Sequence, residues 1–170
     1  GLYVAEGCSV PGKEIYIALG KHENHLAERL CKVIRQLGYK PRVIAVKTAR
    51  LAAISSRILS RAFKAWCGYR AENKHIPDFI LYHRDEAILR AFLEGYIDGD
   101  GNVHRRRGHQ VIIQAVTTSK VLALQLQLLC ARLGFLLRLY KRPHKEIEVI
   151  QGRLVKTHQR YYMQYVLEPS

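Results

Sequence analysis

Apolar side chains recur at helical spacing in two stretches of the chain, and each stretch continues into a basic segment. The stretches are 20–46 and 117–142. In both, the apolar positions end at "LG" plus an aromatic residue, and glycine commonly follows a helix end. The positions are Leu26, Leu30, Val33, Ile34 and Leu37 in the first stretch and Leu122, Leu126, Leu129 and Leu133 in the second. The repeat predicts a helix followed by a strand in each copy.

Alternating segments precede both predicted helices. They are "EIYIALG" (14–20) and "QVIIQAVTT" (110–118), whose period-two pattern and β-branched residues are typical of strands. Before each strand lies a short acidic phrase ending in glycine, "GLYVAEG" (1–7) and "LEGYIDGDG" (93–101). The shared order predicts an α+β fold with a pseudo-two-fold, duplicated body, divided into halves 1–85 and 86–170.

The segment between the two halves has its own pattern. Residues 41–56 predict two strands and 57–68 a helix with the apolar stripe Ile58, Leu59, Phe63 and Trp66, so Trp66 is assigned to core packing. Residues 69–85 form the predicted connector, in which Pro77 breaks any helix. Asp85 is a candidate cap for a helix beginning near Glu86.

The net charge of the chain limits the classes of partner that it is expected to bind. The 170 residues include 28 Lys or Arg against 14 Asp or Glu, a formal charge of +14, which favours a polyanionic partner. No apolar run of ~18 residues is present, so a nucleic acid is favoured over a membrane surface. The four cysteines are too dispersed for a metal knuckle and predict buried free thiols in a reducing, intracellular compartment.

The phrase "DGDGN" (98–102) permits three interpretations. A calcium loop requires Gly at its sixth and Glu at its twelfth position, where this chain has Val103 and His109. A plain helix stop explains one such phrase but not two. The third interpretation pairs the phrases.

Small residues four positions apart give each acidic phrase a smooth stripe on which another helix can lie. These residues are Gly1 and Ala5 in the first phrase and Gly95 and Gly99 in the second. Such packing brings Glu6 beside Asp100, where both carboxylates oppose a helix dipole. A hard divalent cation, most simply Mg²⁺, removes that conflict.

Both phrases resemble the paired motifs of the LAGLIDADG homing endonucleases. The matching positions are Leu93, Gly95, Ile97, Asp98, Asp100 and Gly101 in the second phrase and Gly1, Leu2, Ala5 and Gly7 in the first, with Glu6 at the terminal acidic position. "KHIPDFI" (74–80) is similar to the K-x-I-P element of intein-type members. The resemblance implies a duplicated αββαββα core with saddle-shaped antiparallel sheets and a catalytic role for Lys74.

The expected function is therefore site-specific hydrolysis of double-stranded DNA, with two or more Mg²⁺ ions shared between Glu6 and Asp100. The alternative is a cleavage-deficient nucleic-acid-binding descendant, maturase-like or regulatory. A purely structural basic domain explains the charge but not the matched acidic phrases. The resemblance also implies a second catalytic lysine, yet the interval from Glu6 to Lys74, applied to Asp100, reaches Glu168, which leaves Lys156 or a position beyond the chain.

The resemblance implies that DNA lies on the strands of both sheets. Candidate base contacts are long polar side chains on strand faces, and the loop "HRRRGH" (104–109) is expected to contact phosphates. The predicted DNA-binding residues are Arg105, Arg106, Arg107, Arg138, Tyr140, Arg142, His158, Arg160, Tyr162 and Gln164. We expect a monomer acting as a pseudo-dimer, embedded in a larger intein or host protein. No splicing residues are recognisable in the chain.

Overall fold

A computed structural model describes residues 1–10, 12–47, 49–105, 110–144, 146–150 and 153–167 of the protein. Its frame is two four-stranded antiparallel sheets. The elements before residue 68 are α1 (Leu2–Glu6), β1 (Gly7–Val10), β2 (Glu14–Gly20), α2 (Asn24–Gln36), β3 (Arg42–Ala45), β4 (Ala49–Ser55) and α3 (Arg57–Cys67). Those that follow are α4 (Asp78–Leu81), α5 (Glu86–Asp100), β5 (Gly101–Arg105), β6 (Val111–Thr117), α6 (Lys120–Arg132), β7 (Arg138–Lys141), β8 (Ile147–Ile150), β9 (Arg153–Lys156) and β10 (Tyr161–Leu167).

The two sheets have the same plan. The first has the strand order β1-β2-β4-β3 and the second β5-β6-β10-β7, so in each the first strand pair lies beside the last strand of the half. The hairpin of β8 and β9 is an insertion in the second half, between β7 and β10. The predicted α+β, duplicated fold is confirmed.

Side-chain caps start three of the helices. Ser56 accepts a hydrogen bond from the Leu59 amide at 3.2 Å, and Asp85 accepts one from Ala87 at 2.8 Å. Ser119 caps α6 in the same way, at 3.1 Å from the Leu122 nitrogen. Each bond satisfies an amide that has no partner within its own helix. The predicted cap at Asp85 is confirmed.

The core lies between the helices and the inner faces of both sheets. It is built from alternate strand residues together with apolar helix stripes, among them Ile15, Ile17, Leu19, Leu89, Tyr96, Leu122, Leu126, Leu129 and Met163. The predicted stripe of α3 is only half right. Leu59 and Phe63 pack against the core, but Ile58 is 78% exposed, since it lies about 100° around the helix from Leu59. Trp66 is 45% exposed and packs its edge against Phe79 rather than into the core.

The cysteine prediction is wrong at one position. Cys31, Cys67 and Cys130 are buried free thiols, but Cys8 is exposed. Cys8 lies on the outer face of β1 opposite Tyr16, whereas its neighbour Ser9 points inward and is buried, as the alternation of a strand requires. Within the described ranges, no helix is long and apolar enough to cross a membrane.

Candidate active site

The helices α1 and α5, which carry the two acidic phrases, cross along their small residues. A Cβ on Gly99 would lie 2.6 Å from the Ala5 Cβ, and a Cβ on Gly1 would collide with the backbone of α5 at Phe92. The backbones can approach this closely only without side chains at those positions. The crossing brings the ends of both helices together, with Glu6 at the end of α1 and Asp100 at the end of α5.

A cleft of about 340 Å³ opens beside these helix ends, and we call it the motif cleft. Its walls come from both halves of the chain. They are formed by Tyr3–Ser9, Gly68–Ala71, Lys74, Asp100, Val116–Thr118 and Leu122. Glu6, Lys74 and Asp100, 94 positions apart at the extremes, therefore share one cavity.

The two carboxyl groups are in an environment that disfavours their charges. Burial raises the pKa of Glu6, and the negative charge of Asp100 raises it further. Burial also raises the pKa of Asp100, although the Tyr96 hydroxyl and the Lys74 ammonium oppose that shift. A cation placed between the carboxylates would relieve both the desolvation and the repulsion.

Lys74 is a buried lysine, with 7% of its surface exposed. Its ammonium donates to the carbonyl oxygens of Tyr3 at 2.9 Å and Gly7 at 2.7 Å, and it lies 4.2 Å from the centre of the Tyr3 ring. Both carbonyls belong to the first motif, 1–7. Burial lowers the pKa of Lys74, while the nearby Asp100 and Glu6 oppose that shift. An ammonium has three N–H donors, so one remains after the two carbonyls are satisfied.

The backbone around Lys74 is held by the second half of the chain. The fully buried Ser119 donates its hydroxyl to the Lys74 carbonyl at 2.7 Å. Gln125 accepts from the Ile76 amide at 2.7 Å and donates to the Ile76 carbonyl at 3.3 Å. Arg132 donates to the carbonyls of Leu81 and His83. Helix α6 thus fixes the connector that carries Lys74.

Sequence reasoning missed these holding residues, although a signal was available. Gln125 lies three positions after Leu122 and one before Leu126, on the buried stripe of α6. An amide on such a stripe needs a buried partner, here the backbone of Ile76.

Tyr96 was also missed as part of the site. It is 1% exposed, and its hydroxyl lies near the Asp100 carboxylate but meets hydrogen-bond geometry with no described residue. Burial raises the pKa of Tyr96, and the charge of Asp100 raises it further, so the phenol stays neutral. A neutral phenol is a hydrogen-bond donor, and this one lies beside a motif carboxylate.

The donor set fits a hard cation. Glu6 and Asp100 supply carboxylate oxygens, which Mg²⁺ and similar ions prefer. Within the described ranges, no cluster of three or more His, Cys, Asp and Glu residues could enclose a metal. Mg²⁺ is commonly held by one or two carboxylates together with water and substrate phosphate, so two carboxylates at an open cleft suit it. Asp98 lies apart from this pair and contacts Arg29 at 3.5 Å.

The outer face of the second sheet carries several of the predicted DNA-binding residues. Tyr140 pairs with Tyr162 across β7 and β10, their rings stacking at 5.6 Å, and Arg138 pairs with Gln164. The strand prediction is wrong at Arg142, His158 and Arg160, which lie outside β7 and β10. The chain forms a loop there, in which Gln159 donates to the carbonyls of Arg142 and Arg160. Even so, the Arg142 guanidinium lies 4.6 Å over the Tyr162 ring.

The remaining predicted residues have different placements. Arg105 ends β5 and is exposed, whereas Arg106, Arg107 and the position of the missing lysine at Glu168 lie outside the described residues. Lys156 ends β9, is exposed and does not line the motif cleft.

The outer face of the first sheet contrasts with that of the second. Glu14 forms an ion pair with Arg42 and accepts a hydrogen bond from the Tyr16 hydroxyl. The arginine of this face is thus already paired within the protein. DNA is expected on both sheets, but the individual DNA-contacting residues predicted from the sequence all lie in the second half.

Comparisons with known proteins agree with this architecture. The sequence model of the LAGLIDADG-like domain matches residues 87–163. The chain is 34% identical over 143 residues to the ATP-dependent DNA helicase Hel308 of Thermococcus kodakarensis, covering 79% of this chain and 12% of the helicase. It is 31% identical over 171 residues to the iron-sulfur cluster assembly SufBD family protein Rv1461 of Mycobacterium tuberculosis, covering 97% of this chain and 20% of that protein. The chain thus spans only a small part of these relatives.

A solved structure provides the comparison of folds. The crystal structure of I-DmoI in complex with DNA and Mn superposes with a TM-score of 0.65 and 14% identity, covering 96% of this chain and 84% of that one. I-DmoI is a homing endonuclease. The chain therefore contains a LAGLIDADG-like domain over residues 87–163, and nearly the whole of it has the fold seen in I-DmoI.

Proposed function

We propose that the chain is a site-specific DNA endonuclease that hydrolyses phosphodiester bonds in double-stranded DNA. The observation that carries the proposal is the motif cleft, where Glu6, Asp100 and the buried Lys74 meet although they are distant in sequence. A purely structural basic domain gains nothing from two mutually repelling carboxylates in a partly buried site, which oppose its stability.

In the proposed mechanism, Glu6 and Asp100 hold two or more divalent cations, with Mg²⁺ as the expected ion. The bound cations would activate water and stabilise the leaving oxygen. Lys74 uses two of its donors on the carbonyls of Tyr3 and Gly7, which fixes its ammonium, and directs the third toward a phosphate oxygen or the attacking water. In the complex with DNA, the neutral Tyr96 phenol is proposed to donate to the neighbouring Asp100 carboxylate and so to orient it.

The proposed DNA surface is the outer face of the second sheet with its flanking loops. Arg138, Tyr140, Tyr162 and Gln164 present adjacent polar side chains, and arginine and glutamine make bidentate contacts with base edges. The residues Arg105, Arg106, Arg107, Arg142, His158 and Arg160 are proposed to contact the DNA outside these strands, chiefly at phosphates. One chain supplies both motifs, so we propose a monomer that acts as a pseudo-dimer on DNA inside the cell.

We also propose that the chain is an intein-type element. The helicase and the iron-sulfur assembly protein have no activity in common, yet each contains a short stretch similar to this chain. An element inserted into unrelated hosts explains that distribution, and the "KHIPDFI" phrase supports the intein class. The expected host is a larger protein interrupted by this sequence.

A second candidate function is DNA binding without cleavage, or nicking of one strand. It is favoured by one observation, that Lys74 is the one lysine among the described residues lining the motif cleft. A cleft with a single lysine serves one scissile phosphate better than the other.

The deciding experiment incubates the protein with DNA carrying its candidate insertion site, with Mg²⁺ or with chelator. We expect cleavage that requires the metal and is lost in Asp100→Asn, while Asp98→Asn, which alters a neighbouring acid outside the cleft, cuts normally. Binding without any metal-dependent cleavage by the unaltered protein would reject the nuclease and favour the second candidate.

A further inference from the structure

A strained arginine stands at the motif cleft. Arg70 has φ 66° and ψ 158°, a region of backbone space adopted almost only by glycine, and it is the sole non-glycine residue with positive φ in the described parts of the chain. It lies within Gly68–Ala71, which forms one wall of the cleft. Strain of this kind concentrates at ligand sites, because the contacts that the side chain makes there can offset the energetic cost of the strained backbone.

The surrounding contacts hold this turn in place. A Cβ on Gly68 would collide with the Asn73 carbonyl, so the chain must fold back tightly after α3. The Asn73 amide donates to the Arg70 carbonyl at 3.2 Å, and the His75 amide donates to the Cys67 carbonyl at 3.1 Å. The same turn leads directly to Lys74, so the position of Arg70 is fixed relative to the lysine.

The Arg70 side chain is exposed and has no acidic partner. Its guanidinium lies 5.8 Å from the centre of the Tyr69 ring, a ring that Lys64 also approaches at 4.9 Å. Among the described residues, no carboxylate forms an ion pair with Arg70, Lys64 or Lys74. Arg70 and Lys74 thus line the motif cleft, and Lys64 approaches Tyr69 on its wall, while Arg70 forms no ion pair among the described residues.

A second polar group at the motif cleft comes from the second half of the chain. Thr118 lines the same cleft, and its hydroxyl is buried without a hydrogen-bond partner among the described residues. Buried polar groups are almost always satisfied, so a hydroxyl without a partner on a residue that lines a cavity indicates a missing ligand oxygen. The hydroxyl and the guanidinium together suit a tetrahedral oxyanion.

We infer that Arg70 and Thr118 form a phosphate-binding subsite for the DNA backbone beside the carboxylate pair. Its ligand is a backbone phosphate of the strand whose scissile bond Lys74 serves. The guanidinium donates two parallel N–H bonds to the phosphate oxygens, and the Thr118 hydroxyl donates a third. The inference rests on the proposed function for its substrate, and it adds a role that neither acidic motif nor the "KHIPDFI" phrase contains.

The test compares four variants with the unaltered protein. Arg70→Gly removes the side chain and relieves the strain, Arg70→Ala removes only the side chain, and Thr118→Val removes only the hydroxyl. Arg61→Ala is the charge control, because Arg61 is an exposed arginine on α3 that does not line the cleft. Affinity for a random-sequence duplex is measured in chelator over a range of salt concentrations, beside thermal unfolding.

We expect both Arg70 variants to lower the slope of log affinity against log salt by about one, the value of one lost phosphate contact. Arg70→Gly should also melt about 2 °C or more above the unaltered protein, while Arg70→Ala should not. Thr118→Val should weaken binding several-fold without a change of slope. In the cleavage assay, these variants should slow cleavage of the DNA strand that Lys74 serves more than cleavage of the other DNA strand.

An unchanged salt slope in Arg70→Gly would overturn the inference. An equal loss of slope in Arg61→Ala would also overturn it, because Arg70 would then contribute only non-specific positive charge. Should the unaltered protein bind DNA without ever cutting it, the nuclease proposal fails but the slopes still decide the subsite. Should it cut while Arg70→Gly behaves normally, only the subsite is rejected.

Discussion

The two halves of the chain have the same strand order but differ in which faces of their sheets are covered. In the first half, helix α3 covers the sheet, with Phe63 against Tyr3 at 4.6 Å and the Ser60 hydroxyl bonded to the Val10 carbonyl at 2.7 Å. In the second half, the corresponding space is an apolar groove of about 350 Å³ lined by α5, α6 and the inner face of the sheet. The outer sheet faces differ in the opposite sense, since the first has a paired arginine and the second a free polar surface.

This difference makes the first half the rigid part of the molecule and the second half the part that offers a surface to a ligand. The first half buries Lys74 and holds the first motif against a covered sheet, so its side chains are locked by internal partners. The second half leaves Arg138 and its neighbours available to a ligand and contributes α6, which grips the connector. Duplicated halves need not remain equivalent once one of them has specialised in chemistry.

The lysine gives the strongest expected asymmetry. Lys74→Met should slow cleavage of one DNA strand by about 10²- to 10⁴-fold, the range for loss of a positioned proton donor, and leave nicked product. Strand-specific end labelling of a target duplex measures the two rates separately. Lys156→Met removes the other candidate lysine, which does not line the motif cleft, and should leave both rates unchanged. Equal slowing of both strands by Lys74→Met would contradict a one-sided lysine.

Core substitutions at equivalent strand positions should differ in cost. Ile15 is 1% exposed beneath the first half's covering elements, whereas its counterpart Ile113 is only half-buried and lines the apolar groove. Ile15→Ala should lower the free energy of unfolding by about 2–5 kcal/mol, and Ile113→Ala by about 1 kcal/mol, because solvent already reaches the second site. Urea unfolding measures both. Equal losses would show that the groove is as well packed as the first half.

Sequence reasoning predicted the fold well because the fold depends on local patterns. Period-two alternation gave β2 without error, and the "LG" signals marked the ends of two helices. The sequence did not reveal hydrogen bonds between residues that are distant along the chain. Ser119 and Gln125 meet the backbone of Lys74 and Ile76 only after folding, and no spacing rule links them.

The strand face at residues 158–164 shows a related limit. Alternation predicted one continuous strand, but β10 begins only at Tyr161, and the Gln159 side chain in the preceding loop donates to two carbonyls. A competing side-chain bond of this kind does not alter the polar and apolar pattern. For the same reason, the strain at Arg70 has no signature in the sequence, since nothing about an arginine marks a positive φ.

The outer sheet faces should contribute unequally to DNA affinity. Arg138→Ala should weaken binding of the target duplex by about 1–3 kcal/mol if the guanidinium contacts a base edge. Arg42→Ala should cost less, because Arg42 must first give up its ion pair with Glu14. Titration of labelled duplex at a fixed salt concentration measures both. A Glu14→Gln variant that tightens binding would sharpen the comparison, and a larger loss at Arg42 than at Arg138 would refute it.

The carboxylate pair should show its strain in the metal-free protein. Asp100→Asn should raise the free energy of unfolding at neutral pH by about 0.3–1 kcal/mol, the cost of a charge at an unfavourable helix end. The folded pKa of Asp100 lies above its unfolded value of 3.8, so the aspartate destabilises the fold above the raised pKa and not below the unfolded one. The advantage of the variant should therefore vanish as the pH falls toward about 4, which melting in chelator would reveal. Asp98→Asn, which only breaks the exposed contact with Arg29, should give no such gain. Adding Mg²⁺ should stabilise the unaltered protein and Asp98→Asn but not Asp100→Asn, because binding to the folded state shifts the equilibrium.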